Sequence, residues 1–306
     1  MKPPGIRATE PSGMPYGVAA YICWGLLPIY FKLLPDVDPV EMVASRVLFS
    51  LILMIAILAA TAAIREFGRT LRHRQTMIAM TGSALLIGLN WLTYIWAINN
   101  GHILAASLGY FLNPIVNVLL GVIVLKEKLR RWQIVAICIA ALGVTVMATA
   151  ALDTLWVSLV LALTFAFYGL IRKTAVVGPR QGLAAETLIL TPLAGLYMIW
   201  LAGHGGATFG RDIPTSALLA LSGLVTSVPL LLFATAARRM SFSTLGLLQY
   251  LAPSLQFLIG VGLYGETLSQ GQIVSFGLIW IGLLVFTVDS LHAARTARAL
   301  VPLPAH

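Results

Sequence analysis

Apolar residues run along this chain in ten stretches, separated by short polar connections. A helix rises about 1.5 Å per residue, so roughly 20 apolar residues cross the hydrocarbon core of a bilayer. The pattern therefore predicts ten transmembrane helices, which we number as spans one to ten: 15–34, 40–63, 77–98, 103–125, 132–150, 154–171, 182–202, 213–236, 242–264 and 269–289.

The composition supports an all-α membrane protein. Of the 306 residues, 59% are hydrophobic and 10% are charged, whereas soluble domains carry about 25% charged residues. A soluble protein with a large core is the alternative, but repeated apolar stretches of this length do not suit one. The two cysteines, Cys23 and Cys138, each lie inside an apolar stretch, which predicts neither a disulfide framework nor a metal site.

The basic residues indicate the direction of the spans. Of the 20 Lys and Arg residues, only Lys32, at the far end of span one, and Arg211, in the connection after span seven, lie on the side opposite the termini, and Arg46 falls within span two. All the others lie in the two tails or in connections after even-numbered spans. Because Lys and Arg are retained on the cytoplasmic side during insertion, both termini are expected in the cytoplasm. The net charge of +9 is spread in short clusters, so we expect no nucleic-acid partner.

A polar segment with Lys2 and Arg7 precedes the first apolar stretch, which is also how a signal peptide begins. Nine further apolar stretches follow, so we interpret residues 15–34 as an uncleaved first span.

The chain contains an internal repeat. Residues 108–146 align with 247–285 without a gap, at an offset of 139, and 13 of the 39 positions are identical. Pro114 falls on Pro253 and Glu127 on Glu266, matches that apolar composition alone does not produce. The repeat predicts a cytoplasmic tail at 1–14, one five-helix half at 15–150, a second at 154–289 and a cytoplasmic tail at 290–306.

Each half holds five spans, so the second half enters the membrane from the opposite side. Inverted repeats of this kind are typical of transporters, in which the halves exchange conformations around a shared site. The earlier spans repeat more weakly: Trp24-Gly25-Leu26 resembles Tyr168-Gly169-Leu170, and Glu41 corresponds to Glu186.

Polar and aromatic residues at mid-depth are candidates for a solute site, because lipid-facing surfaces exclude polar groups. Pro114 and Pro253 are expected to kink spans four and nine at matched positions, the best sequence indication of a binding site. The alternative is that the amides only bond helices together. The predicted substrate-binding residues are Trp24, Asn90, Tyr94, Tyr110, Asn113, Tyr168, Gln249 and Gln256.

No span has a carboxylate or a lysine at its centre. Glu41, Arg46 and Glu186 lie within about two turns of span ends, where long side chains can reach the membrane surface. We therefore expect an uncharged cavity, suited to a neutral or zwitterionic solute. The two glutamates are interpreted as capping or ion-pairing groups, with proton coupling as the alternative.

Sequence patterns for chemistry are absent. The chain has no GxxxxGK[ST], HExxH or GxSxG pattern, so we expect no enzyme activity, no cofactor and no metal. An ATP-driven pump would need a separate subunit, and none is expected here.

Four stretches, 20–32, 90–133, 168–173 and 242–266, resemble the drug/metabolite transporter superfamily, specifically EamA-domain transporters of the RarD type. The chain is also similar to the YddG aromatic amino acid exporters of that superfamily. The resemblance implies a cavity lined by spans one, three, four, six, eight and nine. It further implies spans five and ten at the periphery and a location in the bacterial inner membrane.

The sequence thus predicts a secondary transporter that exports small metabolites, chiefly amino acids including aromatic or large apolar ones. Export of drugs or amphiphilic compounds is the first alternative. A sensor or a subunit of another membrane complex, without transport of its own, is the second.

Overall fold

The fold is a bundle of α-helices that cross the membrane ten times. The computed structural model describes residues 12–149, 152–265 and 269–299. Within these residues, ten candidate spans are long and apolar enough to cross a bilayer, and they agree with the predicted spans to within a few residues. The ten-span prediction is confirmed. Residues 1–11 and 300–306 of the two predicted tails, and Glu266, lie outside the described residues, whereas 290–299 continue the helix of span ten.

Eight of the spans are single helices, whereas spans one and nine are each divided into two. The helices of the spans are Met14–Gly25 with Leu27–Phe31, Pro39–Ala60, Arg74–Asn99, Ile103–Ile123, Arg131–Ala148, Leu155–Thr174, Pro179–Gly203, Ile213–Arg239, Phe242–Leu248 with Leu251–Tyr264, and Gln270–Ala299. A 3₁₀ turn, Leu152–Thr154, precedes span six. Because the number of spans is even, both ends of the described chain lie at one membrane face, here named the terminal face.

One helix was not predicted. Ile64–Arg72 connects spans two and three at the terminal face. It buries Phe67, while Arg65 and Arg69 are exposed. A short helix with one apolar side and a basic opposite side is typical of a segment that lies along the membrane surface.

Spans five and ten pack together through reciprocal glycine contacts. A Cβ atom added to Gly143 would lie 2.8 Å from the carbonyl oxygen of Ser275, and one added to Gly282 would lie 2.7 Å from that of Ala136. The repeat aligns Gly143 with Gly282 and Ala136 with Ser275. The two contacts therefore join equivalent pairs of residues, as a two-fold axis between antiparallel helices requires.

The starts of these two spans are also built alike. The side-chain oxygen of Gln133 accepts a hydrogen bond from the backbone N–H of Arg130, at 2.9 Å. The side-chain oxygen of Gln272 accepts one from the backbone N–H of Ser269, also at 2.9 Å. These residues are repeat counterparts, and each glutamine satisfies an N–H group that the start of a helix leaves unpaired.

The pairing of spans across the bundle follows the same symmetry. Span five packs on ten, span two on seven and span four on nine, so each meets its own counterpart. Span six contacts spans three and four, and correspondingly span one contacts spans eight and nine. Exchanging the halves leaves these pairs unchanged. Spans five and ten contact mainly each other, which places them at the periphery as predicted.

The glycine contact between spans five and ten gives a stability prediction. Gly282→Ala places a methyl group against the backbone of span five, and overpacking of this kind costs about 1–3 kcal/mol. Gly277→Ala, on the same helix, meets nothing within 4 Å and is the matched control. Thermal unfolding in detergent should show a lower midpoint for Gly282→Ala and an unchanged or higher one for Gly277→Ala. Equal midpoints would contradict the close contact.

Candidate functional site

A cavity of about 180 Å³ lies inside the bundle, far above the roughly 10–15 Å³ needed to admit one water molecule. Spans one, three, four, six, eight and nine all contribute to its wall, and span two does as well. Six of the eight predicted substrate-binding residues line it: Trp24, Asn90, Tyr94, Tyr110, Gln249 and Gln256.

The cavity lies nearer the membrane face opposite the termini. Span one starts at the terminal face and lines the cavity with residues between Tyr21 and Phe31, its middle and far half. Span two starts at the opposite face and contributes Val43 and Arg46, which lie near its start.

Span nine is broken beside the cavity. Its first helix ends at Leu248 and its second begins at Leu251, so the break falls just before Pro253. Proline lacks an N–H group and clashes with the carbonyl four residues earlier, here that of Gln249. That carbonyl instead accepts the backbone N–H of Ala252, at 3.1 Å. The break turns Gln249 into the cavity wall.

Span one carries a second break that was not predicted from the sequence. Its helix stops at Gly25 and resumes at Leu27, beside Pro28. The carbonyl four residues before Pro28 is that of Trp24, and the side-chain nitrogen of Gln256 donates to it at 3.0 Å. A glutamine of span nine therefore satisfies the group that the proline of span one leaves free. The signal was Pro28 itself, inside an apolar stretch.

Span four shows no matching break. Its α-helix runs from Ile103 to Ile123 through Pro114, and Pro114 is absent from the cavity lining, whereas Pro253 is present. The kink at Pro114 stays a prediction.

The side chain of Asn90 is fixed by span six. Its amide nitrogen donates to the carbonyl of Leu161 and to the hydroxyl of Thr164, each at 2.9 Å. With the nitrogen committed, the amide oxygen is the part of the Asn90 side chain that can accept a further hydrogen bond.

Arg46 corrects the expectation of an uncharged cavity. Its side chain lines the cavity, and its Nε donates to the hydroxyl of Thr226 in span eight at 2.8 Å. The guanidinium carbon lies 4.9 Å from the centre of the Trp91 ring, a cation–π distance. The expectation failed because distance along the sequence gives depth in the membrane but not the direction of the side chain.

The positive charge of Arg46 has no acidic partner among the residues that the structure describes. The salt bridges there are Arg130 with Asp289 and Arg172 with Glu186. A buried charge is stabilised by a counter-charge, so the guanidinium is chemically suited to pair with an anionic group.

Aromatic side chains close the cavity toward the terminal face. The rings of Tyr21, Trp24 and Phe165 pack around Phe233 with centroid distances between 5.4 and 6.4 Å. The hydroxyl of Tyr21 donates to the carbonyl of Leu245 at 3.0 Å. This layer separates the cavity from the terminal face.

Two predicted site residues do not line the cavity. Tyr168 is 1% exposed and stacks on Phe233, on the terminal-face side of the cavity. Asn113 is 2% exposed and belongs to the packed part of span four. Their roles as substrate-binding residues stay predictions.

The two glutamates near span ends were predicted to cap helices or to form ion pairs, and Glu186 forms an ion pair, whereas Glu41 bonds the backbone of a connection. The carboxylate of Glu41 accepts the backbone N–H groups of Thr208 and Phe209, which fixes the connection before span eight. Glu186 forms an ion pair with Arg172 at 3.4 Å and accepts a hydrogen bond from Ser83.

The chain is similar to known membrane transporters. Residues 11–149 match the EamA-like transporter family. An uncharacterized transporter of Pseudomonas aeruginosa is 44% identical, covering 92% of this chain and 95% of the relative. Protein RarD of Salmonella typhi is 41% identical, covering 92% of this chain and 97% of the relative.

More distant comparisons agree with the fold. A relative named chloramphenicol-sensitive protein RarD, from Pseudomonas aeruginosa, is 30% identical over 92% of this chain and 96% of its own. A protein of known crystal structure superimposes with a TM-score of 0.72 at 18% identity, over 90% of this chain and 97% of the other. Similarity to the YddG exporters stays a prediction.

The bond from Gln256 to Trp24 can be tested by a double-mutant cycle. Gln256→Leu leaves the Trp24 carbonyl unsatisfied, at a cost of about 1–3 kcal/mol. In a Pro28→Ala background, residue 28 regains an N–H group that can bond the same carbonyl, so the cost should shrink. The free energy of unfolding in mixed micelles measures both. An equal cost in the two backgrounds would show that Gln256 does not compensate for Pro28.

Proposed function

Because the chain belongs to the EamA-like transporter family, among the RarD-type members of the drug/metabolite transporter superfamily, we propose that it exports amino acids and similar small metabolites. The proposed substrates carry a carboxylate and an aromatic or large apolar side chain. Transport proceeds by alternating access, in which the two halves expose the cavity to one face at a time.

The observation that carries the substrate class is Arg46. Its guanidinium lies in the cavity wall without an acidic partner among the described residues. Hydrogen bonds between a guanidinium and a carboxylate are about twice as strong as neutral ones. A zwitterion fits better than a plain anion, since the side-chain oxygens of Asn90, Gln249 and Gln256 can accept hydrogen bonds from an ammonium group.

The aromatic wall supports the preference for large apolar side chains. Trp24, Trp91 and Phe165 line the cavity together with the Tyr94 and Tyr110 pair, whose ring centroids are 5.8 Å apart. Aromatic surfaces favour apolar and aromatic groups through burial and ring contacts worth about 0.5–1.5 kcal/mol per ring pair beyond burial.

The bacterial transporters that the chain resembles support a location in the bacterial inner membrane. The distribution of basic residues supports cytoplasmic termini. The cavity in this conformation then lies in the periplasmic half. No nucleotide-binding pattern is present in the sequence, so the transporter is proposed to work without an ATPase subunit.

Flux into liposomes tests the proposal. Purified protein should take up labelled phenylalanine above the level of empty liposomes, and should discriminate against phenylethylamine, which lacks the carboxylate. Arg46→Gln should lower the kcat/KM for phenylalanine by about 10–100-fold, because hydrogen bonds to charged groups contribute about 1.5–3 kcal/mol. Arg46→Lys should retain part of the rate.

The matched control is Arg74→Gln, which removes an exposed arginine at the start of span three and should leave flux unchanged. Absence of flux across a panel of amino acids would defeat the proposal. Equal flux of phenylalanine in the wild type and Arg46→Gln would remove Arg46 from substrate recognition.

Export of uncharged amphiphilic compounds is the second candidate, favoured by the apolar surface of the cavity. Chloramphenicol is a suitable probe, since it has an aromatic ring and no carboxylate. Competition against phenylalanine that is unaffected by Arg46→Gln would favour this second function.

A further inference from the structure

The cavity uses the two halves of the repeat unequally. In span nine it is lined by Gln249, Ala252, Pro253 and Gln256, but in span four by Tyr110 alone. Tyr110 is the repeat counterpart of Gln249, at the offset of 139 residues. One matched pair therefore lines the cavity from both spans, whereas the rest of the span-nine surface has no lining counterpart.

The unmatched counterparts are polar and buried. Ala252 and Gln256 correspond to Asn113 and Asn117 in span four. Both asparagines are almost fully buried, at 2% and 0% exposure. Both also hold a side-chain oxygen without any hydrogen-bond partner. The nitrogen of Asn117 donates to Gln249 at 2.7 Å.

Spans one and six show the same imbalance. Tyr21 and Phe165 correspond at an offset of 144 residues, and both line the cavity. Trp24 lines it as well, but its counterpart Tyr168 is buried on the terminal-face side of the cavity, where it stacks on Phe233. The counterparts of the lining residues thus lie together in the half of the membrane nearer the terminal face.

Unpaired amide oxygens inside a membrane protein require an explanation, because each costs free energy where no water can reach it. A conformation that opens a cavity toward the terminal face would hydrate both oxygens. The two asparagine oxygens, which are buried without a partner in the structure, would then bond to water in the other conformation.

We propose that Asn113, Asn117 and Tyr168 line the solute cavity in a second conformation open to the terminal face. There they replace Ala252, Gln256 and Trp24, while Tyr110 and Gln249 face the solute in both conformations. The two asparagine oxygens then accept hydrogen bonds from the ammonium group of the solute. This inference rests on the alternating access proposed above.

A specific contact holds the second cavity closed in the structure. The carboxylate of Glu127, after span four, accepts the backbone N–H groups of Phe242 and Ser243, at 2.6 and 2.8 Å, and the hydroxyl of Ser243 at 2.7 Å. The first helix of span nine is thereby held against span four, where a Cβ on Gly246 would lie 2.8 Å from that of Asn117. Weakening the Glu127 contact should open this side.

Cysteine labelling from each membrane face tests the inference without any solute. Single variants Asn113→Cys, Asn117→Cys and Gln256→Cys are made after replacing the two free native cysteines, Cys23 and Cys138, by alanine. A membrane-impermeant thiol reagent is added to vesicles of either orientation. Asn113→Cys and Asn117→Cys should react from the terminal face, and Gln256→Cys from the opposite face.

Adding Glu127→Gln should shift the balance between the two conformations. Labelling of Asn117→Cys should rise about tenfold or more, equivalent to about 1.4 kcal/mol, and labelling of Gln256→Cys should fall. Ser243→Ala, which removes one of the three hydrogen bonds, should shift both rates in the same directions by less. Ala140→Cys, buried between spans five and ten, is the control and should stay unlabelled throughout.

The outcomes separate this inference from the proposed substrates. Terminal-face labelling without amino acid flux would support the second cavity and reject the substrates. If Asn113→Cys and Asn117→Cys stay unlabelled from the terminal face with Glu127→Gln and with Ser243→Ala, while Gln256→Cys alone reacts from the opposite face, the second cavity is rejected. Labelling of the two asparagine positions only from the opposite face would reject it as well.

Discussion

The lack of water inside a bilayer is the constraint on which this structure depends. Every backbone group that leaves the regular helical pattern there needs a partner from within the protein. Both interrupted spans obey this rule: Gln256 bonds the Trp24 carbonyl in span one, and Ala252 bonds the Gln249 carbonyl in span nine. The two breaks meet at the cavity, so the same groups that solve the backbone problem also form its wall.

The inverted repeat gives this arrangement its second property. The reciprocal contacts of Gly143 and Gly282 and the shared capping of spans five and ten show that the halves are built alike. The cavity nevertheless lies on one side of the symmetry axis. Symmetric parts around an asymmetric cavity permit an equivalent arrangement with the cavity on the other side, which is the basis of the alternating access proposed above.

In the proposed function, the charge of Arg46 selects the solute that the cavity binds. Arg46 sits among aromatic rings and donates to a single hydroxyl, that of Thr226. Its neighbours hold the guanidinium in place without neutralising it. A carboxylate bound there would complete an interaction that the protein leaves open, while the rings of Trp24 and Trp91 contact the apolar part of the solute.

The fold was predictable from the sequence because the spans depend on the hydrophobicity of each residue and the repeat depends on which residues are identical. The ten spans follow from such properties, and so does the repeat that aligns Gly143 with Gly282. The surface helix also had a signal, since Ile64, Phe67 and Leu71 share one side of it. That signal was masked by the surrounding arginines.

The site was only partly predictable, because it depends on the direction in which side chains turn. Arg46 lies near the start of span two, and only packing against Thr226 and Trp91 shows that it faces inward. Asn113 and Tyr168 were predicted from their polarity and repeat position, which do not distinguish one conformation from another. The structure shows one conformation, and the second is the one proposed from the repeat.

The central claim is that a solute binds between the two halves with its carboxylate on Arg46. The most direct measurement is an experimental structure with 4-bromophenylalanine bound, in which anomalous scattering locates the bromine. The account predicts bromine in the aromatic part of the cavity, near Trp24 and Trp91, with the carboxylate on the guanidinium of Arg46. Bromine outside the cavity, or a carboxylate turned away from Arg46, would contradict it.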